Sequence, residues 1–154
     1  MRSIFRLFPA VLCAASLLAA DADEKTSLRD MAQKLITESR ATREMAMQIA
    51  DQLRKSADAG SVRDQIPALE QHAASIRQLI AELESKGTTL TARQRQQLET
   101  ARKVAEILNV FIENKKQMLA SVSSPRDRDN VRYQAIGVAQ RAEMIEKTIS
   151  KLGL

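Results

Sequence analysis

Apolar residues along this chain recur at alternating intervals of four and three, and the pattern restarts four times after residue 25, each break carrying a turn signal. The first stripe is Leu28, Ala32, Leu35, Ser39, Thr42, Ala46, Ile49 and Leu53, and the second is Ile66, Leu69, Ala73, Ile76, Ile80 and Leu83. The third is Leu98, Ala101, Ala105, Leu108, Ile112, Lys115, Leu119 and Val122, and the fourth is Val131, Ala135, Val138, Ala142, Ile145, Ile149 and Leu152. A spacing that averages about 3.5 residues keeps one stripe of a helix turned toward a partner, which predicts an all-α fold with coiled-coil-like packing. Only Ser39, Thr42 and Lys115 interrupt the stripes. The two hydroxyls are expected to bond to the preceding helical turn, and the lysine to extend its ammonium to water near the rim.

The breaks place the helices at about 26–57, 61–85, 91–122 and 125–152. Asp58-Ala59-Gly60 stops the first, and Ser61 with Asp64 resembles a capping box for the second. Pro67 complicates that entry, because its ring disfavours helical geometry at Ile66, so the helix either starts near Pro67 or is kinked in its first turns. Gly87 offers a left-handed cap, Thr91 with Gln94 opens the third helix, and Ser124, Pro125 and Asp127 open the fourth. Gly153 stops the fourth. Such short connections favour an antiparallel up-down-up-down four-helix bundle. Two open hairpins that close their core by dimerisation would satisfy the same stripes.

The first 20 residues differ in kind. Arg2 and Arg6 precede a short apolar run, Phe8 to Ala20, that ends in small residues, the pattern of a cleavable signal peptide cut after residue 20 or 22. The run is shorter than the ~20 apolar residues that a retained anchor needs. Cys13, the only cysteine, falls inside it, and Leu12 stands where lipidation would want a small residue. The expectation is a periplasmic or secreted protein of one domain, residues 21–154, with no disulfide and no later transmembrane segment. Removing Arg2 and Arg6 lowers the formal charge from +5 to +3. Acidic and basic residues alternate along the helices, as on a solvated face, and Phe111 and Tyr133 are the only aromatics after the leader, too few to stack single-stranded bases. Nucleic acid is therefore not an expected partner.

Enzymatic chemistry finds little support. The mature chain has no thiol and one histidine, its four glycines form no phosphate-binding loop, and a di-iron bundle would need two Glu-x-x-His pairs. No catalytic residue, cofactor or metal is assigned. One pairing remains as a candidate: in a hairpin turning near Ala59, Met45 and His72 share a height, and a thioether with an imidazole suits a soft ion such as Cu(I), or a haem iron. Packing methionine beside a partly exposed histidine is the plainer alternative. Helix four carries Tyr133, Ile136, Gly137 and Met144 off its inward row, and these form the candidate surface for a protein partner or a homodimer.

Leu90-Thr91-Ala92-Arg93-Gln94 resembles the LTxxQ signature of small exported helical stress chaperones of bacterial envelopes. The likeness extends to the leader, the basic charge, the helical content and the use of methionine. It implies a cradle-shaped dimer that holds unfolded clients on a concave surface. The residues themselves point first to a binding or scaffolding module without enzymatic activity, with the chaperone and a soft-metal or haem bundle as the alternatives.

Overall fold

The computed structural model describes residues 10–55, 62–120 and 124–154, with side chains from Glu24 onward except those of Met118 and Ala120. Within these the chain is all-helical: α1 Ala10–Arg54, α2 Ile66–Lys86, α3 Ala92–Ala120 and α4 Pro125–Ile149, with no strand among the described residues. Each helix packs on two others, α1 and α3 both lying against α2 and α4. Contacts at the ends set their directions. Glu24 near one end of the bundle accepts from Thr88 just beyond α2 at 2.8 Å, while Gln65 before α2 donates to Gln52 of α1 at 2.7 Å. Gln94 at the start of α3 donates to the Leu152 carbonyl beyond α4 at 2.8 Å. Neighbours in the bundle are thus antiparallel.

Every stripe residue that the structure describes is buried, Ser39, Thr42 and Lys115 included. Each Leu or Ile so placed contributes on the order of 1.5–3 kcal/mol, so the four stripes supply most of the driving force for folding. They bury one another within a single chain. Ser39 and Thr42 satisfy their hydroxyls as expected, on the Leu35 and Glu38 carbonyls at 2.8 Å each.

Lys115 departs from expectation. It is 0% exposed, and its Nζ has no hydrogen-bonding partner. The rim lies farther out than the lysine does, because Leu119, one turn on, is itself buried. Burial alone pushes its pKa from 10.5 down to about 8.

The helix ends differ from expectation for local reasons. α1 runs back to Ala10, since no glycine or proline interrupts the chain between there and Arg54. The first nine residues of the expected leader, the Asp58-Ala59-Gly60 break, Ser61 and Val122 lie outside the described residues. α2 begins at Ile66 with proline in its first turn, where the missing N–H is harmless, and no side chain caps it. Gly87 caps α2 at φ −81°, which is not left-handed. Glycine is needed there for space: a Cβ would stand 2.3 Å from Leu90 Cδ1 and 2.6 Å from the Leu83 carbonyl. Ser124 caps α4 by accepting from the Asp127 N–H at 3.2 Å. Ser124→Ala should lower unfolding stability by about 1 kcal/mol in a urea titration.

Candidate functional site

Among the described residues, four of the five large apolar side chains left exposed belong to α3 and α4: Ile107 (47%), Val110 (57%), Tyr133 (60%) and Met144 (51%); the fifth is Met47 of α1. The point where α3 and α4 approach explains their grouping. Gly137 of α4 is buried, and the Phe111 ring of α3 lies against it so closely that a Cβ on Gly137 would stand 2.5 Å from Phe111 Cε1. From this contact, Ile107 lies one turn back along α3, and Tyr133 and Met144 lie one turn back and two turns on along α4. The antiparallel arrangement puts Ile107 and Met144 at the same end of the groove and Tyr133 at the other. Arg141 stacks its guanidinium on Phe111, 4.5 Å from the ring centre, and Arg132 lies 5.1 Å from the centre of Tyr133.

The expected surface residues thus divide. Tyr133 and Met144 lie on this face. Ile136 is half-buried and packed against the core, and the space beside Gly137 belongs to Phe111 of the same chain rather than to a partner backbone.

Charge divides along the same line. Rows of residues seven apart stay on one side of a bundle helix. The α3 row Arg93-Thr100-Ile107-Asn114 and the α4 rows Asn130-Gly137-Met144-Lys151 and Arg126-Tyr133-Gln140-Lys147 carry no carboxylate. The acids occupy other rows. Glu99, Glu106 and Glu113 form one row of α3 turned toward α2: Glu106 pairs with Arg102, which also reaches Glu84 of α2, and Glu113 helps to raise the pKa of Lys116, which is held chiefly by Glu70 of α2. On α4, Glu146 is gripped by Arg40 and Arg43 of α1 at 2.6 and 3.2 Å. The Glu143 carboxyl is held low by Lys147 and, more weakly, by Arg43. The outer groove between α3 and α4 is left basic and apolar. A cleft of about 280 Å³ at one end of it is lined by Arg93, Gln96, Gln97, Thr100, Thr148 and Lys151.

In one groove between α2 and α3 the cations are already engaged. This groove, of about 420 Å³, has an apolar floor of Ile66, Pro67 and Leu119. Its Arg63 donates to the Leu119 carbonyl at 2.9 Å, and its Lys116 pairs with Glu70 at 3.0 Å.

His72 is half-buried, and its Nδ1 lies 2.7 Å from Glu38 Oε2. The Gln52–Gln65 contact lies seven residues from Met45 on α1 and seven from His72 on α2, so the two stay near one height, but it is Glu38 that engages the His72 ring. Met45 packs partly buried against the core. No group of three or more His, Cys, Asp or Glu side chains that would hold a metal ion occurs among the described residues.

The residues of the LTxxQ resemblance are occupied in capping. Leu90 is buried against Gly87. The Thr91 N–H donates to Gln94 Oε1 at 2.9 Å, and the Gln94 N–H donates to Thr91 Oγ1 at 3.3 Å. Among the described residues no helix is long and apolar enough to cross a membrane. No protein-family model, curated protein or solved structure matches this chain.

Proposed function

We propose that this protein is an exported binding or scaffolding module, without enzymatic activity, that engages a protein partner through the outer face of α3 and α4. The observation that carries the proposal is the concentration of exposed Ile107, Val110, Tyr133 and Met144 on that face, beside a core that is closed elsewhere. Isolated apolar residues on a surface are ordinary, but several gathered along one groove suit an interface. Export is supported by the basic and apolar pattern of the first 20 residues. The stripes favour one specific face over a general hold on unfolded clients, since among the described residues they are buried against one another.

The test is partner recovery from the native compartment with tagged wild type and with an Ile107→Glu, Met144→Glu double variant. Both positions are about half exposed, so the variant should keep its helical circular dichroism and unfolding midpoint while losing the partner that the wild type retains. A partner recovered equally by both would remove this face from consideration. Sedimentation of the two proteins reads self-association in the same way.

A further inference from the structure

Resting on that reading of the face, we propose that the partner presents an acidic amphipathic helix, which lies along the groove between α3 and α4. The argument is charge complementarity. Arg93 and Arg126 at opposite ends, Arg141 at the centre and Lys151 beside Arg93 have no acidic partner among the described residues, whereas Arg40, Arg43, Arg102, Lys103, Lys116 and Lys147 all do. Of the rows facing the groove, that of Arg141 carries one acid, Asp127, which lies about 21 Å away in the first turn of α4 and accepts from the Ser124 hydroxyl at 2.7 Å, so it does not compete for Arg141. Arg141 is stacked on Phe111 and its Nη1 makes only long contacts, 3.4 Å to the Gly137 carbonyl and 3.3 Å to Gln140 Oε1. A guanidinium held over a ring is already positioned and can take a carboxylate on its outer edge, which makes it a suitable anchor for Glu or Asp.

Shape selects a helix over a flat anionic surface. The largest apolar group of this face, Phe111, is half-buried at the floor and covered by Arg141, while Ile107, Val110, Tyr133 and Met144 stand exposed along the two ridges. A bilayer would touch ridge crests alone. An amphipathic helix sets its apolar stripe into a valley between two helices and its flanking charges against both walls. Tyr133 to Ile149, the end of α4, spans about 24 Å with Lys151 just beyond it, close to the length of a helix of about 18 residues.

The test measures binding to the full chain by fluorescence anisotropy of two synthetic helical peptides of about 18 residues. They share the same Leu and Ile positions and differ only in having Glu or Lys as flanking charges. The Glu peptide should bind at least about tenfold more tightly than the Lys peptide and weaken as salt rises. An Arg141→Gln, Lys151→Gln variant should lose about tenfold in affinity for it, with its unfolding midpoint unchanged. Equal binding of the two peptides, binding of neither, or binding of phosphatidylglycerol vesicles in place of the Glu peptide would overturn the acidic-helix proposal. If partner recovery nonetheless depends on Ile107 and Met144, the face stands and only the partner's chemistry falls; if recovery is also indifferent to them, both readings fall.

Discussion

Replacement of Lys115 by methionine should make this protein more stable at neutral pH, by about 3 kcal/mol. The side chain is fully buried and its ammonium has no hydrogen-bonding partner, so the folded state carries the desolvation of a charge with nothing to offset it. Methionine fills a similar volume and brings no charge. The pH dependence distinguishes this cause from a general packing gain. Burial lowers the lysine pKa from 10.5 to about 8 in the folded protein. Below pH ~8 both folded and unfolded states hold the proton, and the penalty is present in full. Between about 8 and 10.5 the unfolded chain keeps the proton that the folded protein has released, so wild-type stability rises with pH through that window. The gap between Lys115→Met and wild type should therefore narrow from about 3 kcal/mol at pH 7 to about 1 kcal/mol at pH 9.5, read from urea unfolding at both pH values. An equal gap at the two would mean that the folded protein holds this proton as tightly as the unfolded chain does, so that burial does not lower the lysine pKa.

The same lysine shows how far the sequence could be read. Its place on the third stripe, between Leu108 and Leu119, correctly indicated an inward position, as the spacing did for every stripe residue described, from Leu28 to Leu152. Periodicity reports direction well because it depends only on the helical repeat. Depth is another matter, since whether an inward lysine reaches water depends on what covers the end of the bundle, and no local pattern encodes that. Register is equally non-local. Met45 and His72 stay near one height, yet the His72 ring is engaged by Glu38, a pairing that no local pattern announces.

The candidate face was half legible. Tyr133 and Met144 were visible as apolar residues off the inward row, but their neighbours Ile107 and Val110 come from another helix, and Gly137 serves a contact within the chain. Charge was read along the sequence, where acids and bases alternate, and this concealed their separation around the helix axes. Sorting α3 by sevens would have shown Glu99, Glu106 and Glu113 on one row and Arg93, Thr100, Ile107 and Asn114 on another.

Gln94 makes the second strong prediction, because one side chain holds two parts of the fold. Its Oε1 accepts from the Thr91 N–H at 2.9 Å, and its Nε2 donates to the Leu152 carbonyl at 2.8 Å, tying the start of α3 to the chain beyond α4. Gln94→Ala removes both bonds and leaves the Thr91 amide and the Leu152 carbonyl to find water, for an expected loss of about 2 kcal/mol in urea unfolding. Gln94→Glu separates the two contributions. A carboxylate still accepts from the Thr91 amide and suits the helix N-terminus, but it cannot donate to the Leu152 carbonyl, so about half the loss should remain. This pair of variants also bears on the LTxxQ resemblance. If the motif serves the helix cap, any capacity to hold an unfolded client should fall no further than the folded fraction does, and Thr91→Ser, which keeps the capping hydroxyl, should be nearly neutral. Client holding lost in Gln94→Ala at unchanged stability would instead give the glutamine a direct part in binding, and would return the chaperone reading to first place.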